Sequence, residues 1–233
     1  MDFKTFFGIF EKDIKHNCII CQSYDISLFS DKISVGLFVK CANIANATVI
    51  ALKNNFLAGD VILHLKNTIC ENILLFSSCG GCNGRGYGDI IIIDKAYNLE
   101  SFSTMLNFKE EAEYSQSTRL LFNDFLAKSG IADIIKTNSA CVSSLVLESN
   151  FLSWFKKKEV SVADMESSII FSAAKHINKS AIGLAYVTDF IGQAPTIQID
   201  TTNKQKIASS RKKLAESLVK FCDRIEYDNF KCD

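Results

Sequence analysis

The sequence contains no apolar run that approaches the roughly 20 residues a helix needs to cross a bilayer. Its first residues, MDFKTFFGIFEKDIKHN, set acids and lysines among the phenylalanines and so lack the layout of a secretory signal. Both absences point to the cytoplasm and away from membranes. Charge of one sign is also missing: 26 acidic side chains balance 26 basic ones, which leaves no surplus to attract nucleic acid. There is a single proline, Pro195, no repeat and no low-complexity stretch, and the scattered glycines punctuate turns instead of forming a linker. A chain of 233 residues without a linker is expected to form one domain, residues 1–233, since a single core grows to about 250 residues before chains divide.

Cysteine is the residue in excess. Nine is an odd number, without regular spacing, in a chain too long for a small disulfide scaffold, so reduced thiols are expected. Two C-x-x-C pairs, Cys18 with Cys21 and Cys79 with Cys82, raise the question of a four-cysteine zinc site. The segment NCIIC reads as a buried strand, however, where residues three apart point to opposite faces and do not share a metal. The cysteines are read as small core hydrophobes, with no metal and no cofactor.

Short apolar stretches alternate with amphipathic ones. Strands are expected at CIIC, SVGLFVKC, NILLFSS, DIIIID, ACVSSLVL and SAIGLAYVT. Helices are expected at NIANATVIALKNNF, STRLLFNDFLAKSG, SNFLSWFKKK and ADMESSIIFSAAKHI, and from about Thr202 to Ile225. Several strands are apolar without alternation, as in a sheet covered on both faces. The expected fold is therefore α/β, a three-layer α/β/α sandwich around a central mixed sheet.

Two features carry the chemistry. The first is the glycine-rich SSCGGCNGRGYGD, which follows an apolar strand and runs into another strand at Ile90. It opens no helix and has no Gly-Lys-Ser/Thr, so it is neither a dinucleotide fingerprint nor a P-loop. Small residues at a strand end still allow a ligand to approach, with Ser77, Ser78 and the amides near Cys79 and Gly80 as donors. The second is SVADMESSIIFSAAKHINKSAIGLAYVTDFIG. It sets Glu166 beside an apolar helical stripe, where a carboxylate is costly unless partnered, and brings Asp189 to a strand end, the edge where α/β sheets bind ligands.

Taken together, Met165-Glu166, Thr188-Asp189, Ser78-Cys79-Gly80 and Gly88-Asp89 resemble the motifs of the purine nucleoside phosphorylase and methylthioadenosine/S-adenosylhomocysteine nucleosidase superfamily. The resemblance covers residues 73–94 and 142–192. It implies a nucleoside phosphorylase-like fold and cleavage of the bond between ribose C1′ and a purine nitrogen. By analogy, Glu166 would bind the ribose hydroxyls, Met165 would pack under the sugar, and Asp189, beside Thr188, would hydrogen-bond the base and protonate it. The base-stacking segment falls near Val146 and Leu147. Subunits of such proteins form homodimers or larger homo-oligomers.

Departures from the pattern bear on the nucleophile. Leu75 and Phe76 stand where phosphorylases place an arginine, and among only four arginines Arg85 alone lies in a loop near the glycine turn. Phosphate as co-substrate would have Ser78 and Arg85 for partners, so hydrolysis is favoured over phosphorolysis. Asp25, or else Tyr24, occupies the region of the water-activating glutamate of the nucleosidases, and Ala185 replaces an arginine four residues before Asp189. A nucleoside-binding protein with weak or lost catalysis is the alternative.

Overall fold

The structure, a computed structural model, describes residues 2–100, 114–193 and 199–225; Pro195 lies outside them. The strands are β1 (Asn17–Gln22), β2 (Ser34–Val35), β3 (Val39–Ile44), β4 (Ala47–Leu52), β5 (Asn72–Gly81), β6 (Ile90–Leu99), β7 (Tyr114–Gln116), β8 (Ile134–Val142), β9 (Val160–Asp164) and β10 (Ser180–Phe190). The helices are α1 (Phe3–Phe7), α2 (Ala58–His64), α3 (Arg119–Lys128), α4 (Leu152–Lys157), α5 (Ser167–His176) and α6 (Thr201–Cys222).

The strands form one mixed sheet in the order β10-β6-β8-β9-β5-β1-β4-β3-β2, with β7 on β6. Strand β10 is bonded on both sides, parallel to β5 and antiparallel to β6. The pairings β5–β9, β9–β8, β8–β6, β6–β10 and β10–β5 therefore close a ring, and the sheet beyond β5 is open. Closure bends the ends of β5, β8, β9 and β10 toward one another.

Apolar side chains on both faces of the strands fix the layers. Cys18, Ile20, Ile73 and Leu75 pack with Phe6, Val61, Ile62 and Ile170 from α1, α2 and α5. Ile19, Cys21, Leu74 and Phe76 pack with Leu121, Phe125, Leu214 and Leu218 from α3 and α6. The sheet thus lies between two helical layers, which is why β1 and β4 are buried at nearly every position. Cys18 and Cys21 face opposite layers, as strand alternation dictates. A third cluster around Trp154 and Phe155 of α4 fills the closed end of the sheet.

The expected strand SVGLFVKC is divided into β2 and the start of β3, helix α2 is not among those expected, and three further segments differ from the sequence-based expectation. NIANATVIALKNNF is a hairpin, β3 to β4, and not a helix: Thr48, Val49 and Ile50 are β-branched and every residue of β4 is buried between the two layers. The helix expected at ADMESSIIFSAAKHI begins at Ser167, because Val160–Asp164 pair with β8 and β5 as β9. The strand expected through Leu147 ends at Val142, and Leu145 and Val146 are exposed beyond it.

Candidate functional site

A cavity of about 230 Å³ opens where the ends of β1, β5, β8, β9 and β10 converge. Strand β1 brings Gln22, β5 brings Ser77 to Gly80, and β10 brings Thr188 and Asp189. Met165 and Glu166 follow β9, and Glu148 enters from the turn after β8.

Asp164 explains how Glu166 is held. Its Oδ1 accepts hydrogen bonds from the backbone N–H groups of Glu166 and Ser167 and from Ser167 Oγ, at 2.8–3.0 Å, and its Oδ2 accepts one from Ser139 Oγ at 2.7 Å. It thereby stops β9, starts α5 and fixes the intervening Glu166. Glu166 is 2% exposed. Its Oε1 accepts from Gln22 Nε2 at 2.8 Å and its Oε2 from Ser77 Oγ at 3.1 Å. Burial pushes its carboxyl up to about 7; the charge of Asp164 adds to the rise, and the hydrogen bonds from Ser77, the Met165 backbone and Gln22 oppose it. Met165 Sδ accepts from Asn55 Nδ2 at 3.9 Å.

Asp189 is placed by an irregularity in β10. Val187 is paired with Cys79 and Asp189 with Gly80, so Thr188 is an extra residue, a bulge that turns Asp189 toward the cavity. Thr188 Oγ1 donates to Cys79 O at 3.4 Å. Desolvation alone raises the Asp189 carboxyl from its ordinary value, since no hydrogen bond from the described residues lowers it. Glu148, 8% exposed, stands in the same condition: burial first, then repulsion by Asp189, pushes it to about 7.

Asp164, Glu166, Asp189 and Glu148 all line this cavity, and no cationic side chain does among the described residues. No group of histidines, cysteines, aspartates and glutamates among the described residues is arranged to hold a metal ion.

Of the residues singled out in the sequence, Ser78, Cys79, Gly80, Met165, Glu166, Thr188 and Asp189 meet at this cavity, whereas Asp25, Arg85 and Leu147 do not line it. Asp25 is fully buried, with its Oδ1 paired to Arg211 Nε and to the second guanidinium nitrogen, each at 2.6 Å. Burial raises its carboxyl and the guanidinium of Arg211 partly offsets the rise. Its neighbour Tyr24 lines the cavity instead. Gln22, Asn55 and Glu148 are cavity residues that sequence reasoning missed; only Asp164, two residues before Glu166, carried a readable local signal, that of a capping acid.

A sequence profile of the phosphorylase superfamily matches residues 41–221, and no curated protein matches the chain significantly. The fold is similar to that of uridine phosphorylase from Vibrio fischeri, solved with 6-hydroxy-1-naphthoic acid: TM-score 0.73, 11% identity, covering 92% of this chain and 94% of that one. It is similar to the 5′-methylthioadenosine/S-adenosylhomocysteine nucleosidase of Campylobacter jejuni, with TM-score 0.70 and 12% identity over 91% of this chain and 100% of that one. The nucleosidase of Streptococcus pneumoniae, in complex with 8-aminoadenine, gives 0.69 and 16% with the same coverage. At these identities the likeness is one of fold, and the profile match over most of the chain supplies the kinship: the protein belongs to the phosphorylase superfamily.

Proposed function

We propose that the protein is an enzyme that cleaves the N-glycosidic bond of a purine nucleoside, by hydrolysis in preference to phosphorolysis. The observation that carries this reading is the pairing, in one cavity, of a carboxylate clamped by Gln22 and Ser77 with Asp189, an acid delivered over Gly80 that has no hydrogen-bond partner among the described residues.

Glu166 binds the ribose hydroxyls, and its fixed charge favours the cationic character that the sugar ring gains as the bond breaks. Met165 packs under the sugar. Asp189 donates its proton to the purine as the C1′–N bond breaks and the electron pair passes to the base. A raised pKa keeps a proton available for that step. Ser78, Cys79, Gly80 and Thr188 shape the floor of the site. Water then adds to C1′ and releases a proton to solvent.

The four carboxyl groups and the lack of a lining cation among the described residues support hydrolysis, because a phosphate dianion would enter against like charge with no guanidinium from those residues to receive it. Arg85 stays off the cavity, so phosphate as a co-substrate loses the partner expected for it. Asp25, tied to Arg211, is not the water activator in this reading. That same displacement supports the second reading, a nucleoside-binding protein with weak or absent catalysis.

One domain over residues 1–233, a cytoplasmic location and assembly as a homodimer or larger homo-oligomer complete the proposal. Exposed Tyr24, Phe56, Leu145 and Val146 lie at or beside cavity-lining residues and give the mouth an apolar rim suited to a subunit contact. Among the described residues no helix is long and apolar enough to cross a membrane. Release of free base from a panel of purine nucleosides, followed by chromatography, tests the enzymatic reading. Saturable nucleoside binding without release would replace it by the second.

A further inference from the structure

Glu148 is unused by the chemistry above, yet it is one of the two acids in the cavity that have no hydrogen-bond or ion-pair partner among the described residues; the other is Asp189. Asp164 and Glu166, in contrast, are held by several donors each. Glu148 opens a short 3-10 turn, Glu148–Phe151, whose Phe151 is anchored in the cluster around Trp154, and its own N–H donates to Ser144 O. The residue is thus fixed in place with its carboxyl buried at the cavity wall.

We infer that Glu148 is a specificity residue which, together with Asp189, selects a purine carrying a 6-amino group over one carrying a 6-oxo group. The inference rests on the cavity being a nucleoside site. Its basis is the hydrogen-bonding pattern of the two purine edges. Beside N7, an acceptor, a 6-aminopurine offers an N–H donor, while a 6-oxopurine offers a second acceptor.

Both acids line the one cavity, and the turn that carries Glu148 lies against the end of β10, where a Cβ atom on Gly192 would stand 3.2 Å from Cβ of Ser149; the charge of Asp189 repels that of Glu148, which favours one proton held between the two. With one proton, the pair presents one O–H donor and one carboxylate acceptor. Asp189 then donates to N7 and Glu148 accepts from the 6-amino N–H, so every polar group at that end finds a partner. A 6-oxopurine would need both acids protonated, or would face an oxygen with an oxygen. No cation lining the cavity is present to relieve that clash among the described residues. The ligand decides which acid carries the proton, so the pair needs no fixed assignment in the empty site.

The test is binding of the free bases adenine and hypoxanthine by titration calorimetry near neutral pH, with the wild-type protein and with Glu148→Gln and Glu148→Ala. The wild type is expected to prefer adenine by at least about tenfold, the worth of one well-placed recognition contact. Glu148→Gln supplies a donor as well as an acceptor and is expected to bring the two bases within about threefold, chiefly by improving hypoxanthine. Glu148→Ala should lower adenine affinity without improving hypoxanthine. A wild-type protein that binds both bases equally, prefers hypoxanthine or binds neither overturns the inference, as does a ratio unchanged by Glu148→Gln. The base preference without any nucleoside cleavage would keep this assignment while removing the enzymatic reading, so the two fail separately.

Discussion

A Cβ atom built on Gly80 would stand 3.2 Å from Oδ1 of Asp189. The carboxyl of Asp189 therefore sits closer to the end of β5 than a side chain at position 80 would allow without a shift of a few tenths of an ångström, and the bulge at Thr188 points it there. Position 80 and position 189 are one device: the first makes room and the second fills it.

Gly80→Ala is accordingly expected to displace the Asp189 carboxyl by a few tenths of an ångström or more. Misplaced catalytic groups cost up to about 100-fold in rate, so kcat/KM should fall about 10- to 100-fold while the melting temperature stays within a few degrees. An unchanged kcat/KM would separate Asp189 from the chemistry.

Glu166→Gln and Asp189→Asn should each lower kcat by about 10²- to 10⁴-fold, the range for losing a positioned charge or a general acid. Glu166→Gln removes the charge, keeps one acceptor oxygen for Gln22 or Ser77 and turns the other oxygen into an NH2 donor; the shape is conserved, so its circular dichroism spectrum should match that of the wild type. Rates within a factor of about two of the wild type would remove either residue from the mechanism.

Stability should depend on these acids in a defined direction. Glu148 and Glu166 are both raised to about 7 in the folded protein, against about 4.3 in an unfolded chain. Between those values the native state binds more protons than the unfolded state. The stabilisation is thus complete below about pH 4 and lost as pH rises through about 7. Between about pH 5 and about pH 8 the wild type should lose about 10 °C more in melting temperature than a Glu148→Gln/Glu166→Gln double variant. Equal losses would place both carboxyls outside this titration.

Asp25 gives a structural counterpart. Its side chain is fully buried beside Arg211, which is 29% exposed. Arg211→Met would leave that acid uncompensated and should cost about 3 kcal/mol, visible in urea denaturation, whereas Asp25→Asn/Arg211→Met should recover more than half of the loss. Failure of the second change to recover stability would mean that the pair does not act as a unit.

These particular residues show what the sequence carried and what it did not. Strand β1 was readable because five of its six residues are buried and both helical layers demand apolar side chains. Strand β4 looked helical because an apolar run has no period to distinguish the two, and the deciding partners, β1 and β3, lie elsewhere in the chain. Glu166 and Asp189 stood out as acids in apolar surroundings, each with a neighbour of the right type. Glu148 stood in an equally apolar stretch, but its place at the cavity depends on the turn that follows β8, which runs against the local strand propensity of LVL. The clamp from Gln22 was invisible for another reason: it spans 144 positions, and only the parallel pairing of β1 with β5 brings it alongside Ser77.

Hydrolysis and phosphorolysis of a purine nucleoside differ in the sugar they release. The protein should be incubated with adenosine, 5′-methylthioadenosine and inosine, with and without inorganic phosphate, and the sugar identified by mass spectrometry. Free base and the unphosphorylated sugar are expected at the same rate in both conditions, with the aminopurine nucleosides cleaved faster. A sugar 1-phosphate formed only when phosphate is present would contradict hydrolytic cleavage.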